Sequence, residues 1–375
     1  MKKITANQTL TLICLCSISV KIASLPGYMS TIAKGDFWLV ALGIFISEII
    51  SLWIILDISS KVRDKTFFDL IKENISSKLS KLIEILFSIF FIVKTLICIY
   101  ETEIFIKNTI YEDFNEWIFL FVFLLFLIYV SKKNYMVLGR VGELIIWVAI
   151  AGGVISLMLS VLEIDISNIL PIILKNDITT LLNCAGKSSF WFGDYLIFFI
   201  LMGNIKFDED TSKNIKRILI GYSVMALFII LLFIVFECLF KNVTTIYETA
   251  ISGVSHYIPR FNDFRIDWLS DIMWVIVQIY SSAVWFFLSK ITLNNLFNIN
   301  NSKNNIKDIY IPIIFSISII IVFNIVKVPL NIFENFIGNN FWWVTLILSQ
   351  MPLLTFICYK IYKRRNMKNE NAIKE

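Results

Sequence analysis

The sequence predicts an all-α integral membrane protein of about ten transmembrane helices, arranged as two inverted repeats of five in which helices 1 and 6 are broken at mid-membrane. Composition, the alternation of basic connections and a pair of interrupted spans carry that expectation. Of the 375 residues, 57% are apolar and 17% charged, whereas soluble chains hold roughly 45–50% and about 25%. At about 20 predominantly apolar residues per span, the chain fills roughly ten spans and leaves no room for a separate soluble domain. A cytosolic enzyme, a secreted protein and a single-span receptor are excluded.

Ten hydrophobic segments follow in order: 8–33, 37–58, 82–106, 117–131, 141–162, 178–204, 215–240, 267–290, 309–328 and 338–361. Of 34 lysines and arginines, 24 fall before span 1, after span 10 or in the connections 2/3, 4/5, 6/7 and 8/9. The opposite connections hold seven, and three lie inside spans (Lys21, Lys94 and Lys187). An even number of spans with both termini in the cytoplasm satisfies the positive-inside rule. The first apolar stretch lacks a small-residue cleavage pattern and contains Lys21 and Pro26, so it reads as an anchor and not a signal peptide. The stretch 61–81 sets Phe67, Leu70, Ile71 and Ile75 near one helical face and belongs on the cytoplasmic surface. The longest outer connection, 241–266, with His256, Tyr257, Pro259 and Arg260, reads as a solvated loop, folding over the outer mouth being the alternative. The whole chain, 1–375, is one transmembrane domain: a first repeat over 1–162, a second over 178–361 and a cytoplasmic tail over 362–375.

The interruptions are where chemistry is expected. Span 1 carries Ser19-Val20-Lys21-Ile22-Ala23-Ser24-Leu25-Pro26-Gly27, and span 6 carries Cys184-Ala185-Gly186-Lys187-Ser188-Ser189 followed by Gly193-Asp194. A helix break at membrane depth frees backbone N–H and C=O groups, which is tolerable only inside protein or facing a polar cavity. Breaks at matching places in two repeats point to a midplane binding site. The candidate binding residues are Ser19, Lys21, Ile22, Ala23 and Ser24 with Ala185, Gly186, Lys187, Ser188 and Trp191. Glu48, Lys94, Glu101 and Asp194 are candidates for ion pairs or a proton relay, because each costs several kcal/mol in the bilayer unless paired or hydrated. Lys21 and Lys187, one at each break, serve either recognition or structural ion pairs with Asp194 and Glu48. Trp191 and Tyr195 either cover a ligand or only pack. Half-helix N-termini suit a carboxylate and unwound carbonyls suit an ammonium group, so a zwitterionic amino acid fits both. The Lys21 ammonium, standing where a coupling cation binds in sodium-driven transporters, predicts a sodium-independent site.

Six cysteines lie in apolar stretches without a CxxC, and His256 is the only histidine, which leaves no material for a metal site or a Ser-His-Asp triad. No Walker loop, GxGxxG, HExxH or GxSxG occurs. No enzyme activity, cofactor or nucleic-acid partner is expected; the lipid bilayer and a small molecule are.

The run Lys21-Ile22-Ala23-Ser24-Leu25-Pro26 with Gly35-Asp36-Phe37-Trp38 resembles the "K-I-L-S-L-P … D-x-W" signature of spore germination permeases. These are the B subunits of nutrient germinant receptors, within the amino acid/polyamine/organocation superfamily. Arg140 with Glu143, Asn168-Ile169-Leu170-Pro171 and Gly193-Asp194 resemble the family's "R-x-x-E", "N-L-L-P" and "G-E" patterns. The span 6 acid is aspartate here, and Ser19 or Val20 stands where a glycine is usual. The resemblance implies a LeuT-like ten-span bundle that senses a small germinant, commonly an L-amino acid. It further implies action with an A subunit and a lipoprotein C subunit in the inner membrane of the spore. The competing expectation is an amino acid permease working by proton-coupled symport.

Overall fold

The computed structural model describes residues 3–62, 65–109, 115–160, 164–169, 176–207, 210–246, 250, 253–254, 267–297, 307–325 and 329–374. His256, Tyr257, Pro259, Arg260, Leu170 and Pro171 lie outside the described residues. Span 1 is α1 (Ala6–Ile22) followed by α2 (Leu25–Ala33), and span 2 is α3 (Phe37–Lys61). A short α4 (Phe67–Asn74) precedes α5 (Ser77–Thr109), α6 (Glu116–Ser131) and α7 (Tyr135–Ser160), which are spans 3 to 5. Span 6 is α8 (Ile178–Ser188) and α9 (Ile197–Leu201). Spans 7 to 9 are α10 (Thr211–Phe240), α11 (Asp267–Leu296) and α12 (Lys307–Ile325), and α13 (Leu330–Ser349) with α14 (Met351–Lys374) forms span 10.

Local chemistry starts several of these helices. Thr5 and Gln8 form a capping box at the head of α1, Thr66 and Asp69 form another at α4, and the Asn115 carboxamide accepts from Trp117 and Ile118 N–H at the head of α6. Each side chain takes up N–H donors that the first turn leaves unpaired. Among the described residues six stretches are long and apolar enough to cross a membrane: Leu25–Lys61, which includes the turn at Lys34, Ser77–Thr109, Tyr135–Met158, Thr211–Phe240, Trp268–Leu296 and Leu330–Arg365. Ala6–Ile22, Glu116–Ser131 and Tyr310–Ile321 are shorter apolar helices. Large apolar side chains stand on the outside, among them Trp53 (56% exposed), Leu144 (73%) and Trp147 (69%). Apolar surface on that scale is untenable in water and is what lipid covers.

The interior is built from α1, α5 and α11. Helices α5 and α11 pack along each other, with Phe91 stacked on Trp285 at 5.8 Å between ring centroids. Several of the basic connections meet at one end of the bundle. There Ile4–Thr5 pairs in parallel with Ile205–Lys206, tying the start of span 1 to the end of span 6. At the same end Gln8 donates to Glu143, Arg217 to Asn7, Lys290 to the Ser131 carbonyl and Arg365 to the Glu73 carbonyl.

Three expectations shift. Span 10 begins at Leu330 and not at 338: Asn331, Glu334, Asn335 and Gly338 dilute the hydropathy of a turn whose Leu330, Phe333 and Ile337 face is buried. The apolar face of α4 packs on protein. Phe67, Leu70 and Ile71 are fully buried, and the Phe67 ring lies 4.5 Å from Phe199 of α9 and 6.0 Å from Phe87 of α5. The described part of the connection after span 7 is no plain solvated loop either. Thr244, Ala250 and Val254 are buried, and the Ala250 N–H donates to the Ala23 carbonyl at 2.7 Å.

Candidate functional site

The break in span 1 is two residues long. Ala23 leaves the helical region (φ −73°, ψ −85°), and α2 restarts with Pro26 in its first turn, where the missing N–H costs nothing. The freed Ala23 carbonyl is taken up by Ala250. In span 6 the helix runs through Ser188, across nearly all of the Cys184–Ser189 run where the sequence suggested a break. The chain then opens over Ser189–Leu196: a 3-10 turn, extended Phe192, left-handed Gly193 (φ +83°) and a second 3-10 turn from Asp194. A side chain at Gly193 would be strained by that φ, and its Cβ would lie 3.1 Å from the Phe90 ring. Gly193→Ala is expected to cost about 1–3 kcal/mol, read as a lowered thermal midpoint of the purified chain; an unchanged midpoint would argue against the left-handed turn.

The two breaks face each other across a buried charge cluster. Asp194 accepts from both Lys21 and Lys94, the latter at 2.9 Å, and all three side chains are 0% exposed. Lys21 also donates to Ser17 Oγ at 2.7 Å, and Lys94 to the Trp191 carbonyl at 2.7 Å. Both ammonium groups lie over aromatic faces, Lys21 at 5.0 Å from Phe192 and Lys94 at 5.1 Å from Trp285, an attraction that strengthens away from water. Glu48 of span 2 accepts the Gly193 N–H and the Tyr222 hydroxyl, the latter at 2.7 Å. Glu101 of span 3 uses one oxygen, Oε1, to accept from Ser24 Oγ at 2.7 Å and Trp191 Nε1 at 2.9 Å. Carboxylates and ammonium groups thus satisfy the backbone that the breaks release, which is the condition for irregular chain at this depth. One carboxylate, Glu101, is hydrogen-bonded to both breaks at once.

The side of this cluster away from the start of α1 is closed. The Tyr28 and Trp191 rings lie 5.2 Å apart. Span 10 comes so close at Gly338 that a Cβ there would be 2.2 Å from the Tyr28 hydroxyl and 2.8 Å from the Lys187 carbonyl. Two helical turns further along α13, the Thr345 hydroxyl lies 2.5 Å from that of Ser189.

Of the sequence-derived candidates, the structure brings together Lys21, Ala23, Ser24, Glu48, Lys94, Glu101, Trp191 and Asp194, with Ile22 packed beside them. Ser19 and Ser188 are buried but turn back onto their own helices, donating to Cys16 and Cys184 carbonyls. Ala185, Gly186 and Lys187 lie half-buried on α8, before the break, and Gly186 faces open space. Lys187 takes no part in the charge cluster. The second lysine is Lys94, because α8 stays helical through Ser188 and carries Lys187 past the meeting point. Sequence reasoning missed Ser17, Phe45, Tyr222 and Trp285. Only Ser17 had a local signal, four residues before Lys21 and so on the same helical face; the others arrive from spans 2, 7 and 8.

The model of the family described as "Spore germination protein" matches residues 3–332. The chain belongs to the spore germination protein family. No curated protein matches. Among solved structures, this chain is similar to the substrate-bound outward-open state of a Na+-coupled sialic acid symporter. That match has a TM-score of 0.51 and 12% identity, and covers 94% of this chain and 78% of the other. At that identity the likeness speaks for the fold alone: an all-α, LeuT-like permease architecture with discontinuous spans 1 and 6. The family member is therefore a multi-pass membrane protein of permease type.

Proposed function

We propose that this chain is the ligand-binding B subunit of a spore nutrient receptor. It holds a small nutrient, an L-amino acid in the first instance, between the breaks of spans 1 and 6, and passes the resulting shift to an A subunit and a lipoprotein C subunit in the spore inner membrane, with both termini cytoplasmic. The observation that carries this reading is the bonding of Glu101 to both Ser24 and Trp191. A molecule entering between the breaks must rearrange both half-helix pairs together, and a ligand that favours one arrangement shifts the whole equilibrium. The two halves follow the five-span repeats expected over 1–162 and 178–361, with Lys21, Ile22, Ala23, Ser24 and Trp191 lining the place where they meet.

The test is thermal stabilisation of the purified chain by each of the L-amino acids, since a ligand that binds only the folded state raises the midpoint. At least one amino acid at 100 times its Kd should stabilise by about 2.7 kcal/mol; none doing so up to high millimolar concentration would sink the reading. The second reading, a proton-coupled amino acid permease, draws on the three buried acids Glu48, Glu101 and Asp194 at the site. Accumulation of the stabilising amino acid in proteoliposomes driven by a pH gradient would favour it over the receptor.

A further inference from the structure

We infer that Glu101 is the recognition point for an ammonium group, so that the nutrient is held by its amine at this carboxylate. The inference rests on the proposed binding of a nutrient between the breaks and adds the chemistry that selects it.

Five ionisable side chains meet at the breaks, two positive and three negative: Lys21, Lys94, Asp194, Glu48 and Glu101. Both lysines are spent on Asp194. Glu48 binds the amide of Gly193, the residue next to Asp194, and lies within electrostatic reach of Lys21. Two ammonium groups against two carboxylates close that part of the cluster as a neutral unit. Glu101 stands outside that unit: it bonds neither lysine, although Lys94 lies within electrostatic reach. It is 3% exposed, and its hydrogen-bond donors, a serine hydroxyl and an indole N–H, are both neutral. Both bonds fall on Oε1, and Oε2 accepts none among the described residues.

A second polar group close by is also unused. The Tyr28 hydroxyl is buried without a hydrogen-bond partner among the described residues, and its ring lies against that of Trp191. A carboxylate oxygen with free acceptor capacity, with an unused tyrosine hydroxyl on the ring that packs on its indole partner, is the chemistry that captures a primary ammonium through charge-assisted hydrogen bonds. Anionic nutrients and uncharged sugars offer no such partner. An arriving ammonium would set a positive charge directly on this carboxylate, at the residue that joins span 1 to span 6.

The experiment compares thermal stabilisation of the full-length purified chain by each L-amino acid, by its deaminated acid and by its decarboxylated amine, for example L-alanine, propionate and ethylamine. Amine-bearing compounds are expected to stabilise and the deaminated acids to have at least tenfold weaker effect. Glu101→Gln keeps an acceptor for Ser24 and Trp191 but removes the charge, and is expected to weaken amine binding at least tenfold while its unliganded midpoint stays near that of the native chain. Should that variant fail to fold, Glu101→Asp is the substitute: it keeps the charge one carbon further back and should weaken the amines while the acids remain inert. Deaminated acids binding as well as their parents, or amine binding unchanged in the variant that folds, would overturn the assignment and leave the midplane reading standing. Silence of the whole panel on the native chain would overturn both.

Discussion

Replacing Asp194 by alanine will leave two lysines buried side by side with no carboxylate between them, and the folded chain is expected to lose about 3–5 kcal/mol. Lys21, Asp194 and Lys94 are each 0% exposed, so no water can take over the lost contacts without opening the bundle. The pairing is costly to break but need not be a net source of stability, because desolvating three charges offsets much of their attraction. Two measurements separate these terms. In the first, denaturant unfolding of Asp194→Ala in detergent should show the large loss. In the second, the fourfold change Lys21→Met, Glu48→Gln, Asp194→Leu, Lys94→Met, which removes the whole neutral unit, should recover most of the stability while abolishing any ligand response. A loss below about 1 kcal/mol in the single variant would mean that the three charges do not meet in the folded chain.

Gly338→Leu is expected to force the closed side of the cluster open. A Cβ at this position collides with the Tyr28 hydroxyl and with the backbone carbonyl of Lys187, and backbone cannot step aside as the end of a flexible side chain can. Forced overpacking of about 1.4 kcal/mol in the closed arrangement alone raises the open population about tenfold. Ser189 is half-buried against Thr345 at this interface, and the six native cysteines are buried. A Ser189→Cys reporter should therefore react with a membrane-impermeant maleimide about tenfold faster when Gly338→Leu is also present. Equal rates with and without that change would remove span 10 as the stop.

The fold was legible because lipid imposes strong composition rules. Long apolar runs, basic connections on alternate sides and two interrupted spans are one-dimensional signals, and they are enough to mark Lys21, Ser24, Glu101 and Asp194. The site was legible only in part. Which lysine meets Asp194 depends on where α8 stops, and helix propensity around Gly186 and Lys187 gives no warning that the helix continues to Ser188. Tyr222 and Trp285 approach from spans distant in sequence, so nothing near them announces a role. Span 10 was read too short for the opposite reason: its first turn buries one face only, and the asparagines on the other face hide it from an average over the segment.

The hydrogen bond from Ala250 to Ala23 makes the outer connection a clock for the break. Because the carbonyl released at Ala23 is satisfied from outside its own helix, any excursion that separates the two elements strips protection from a single amide proton. Hydrogen–deuterium exchange at Ala250 would then count openings of the midplane directly, without a label and in the membrane-embedded chain, on the timescale of local unfolding.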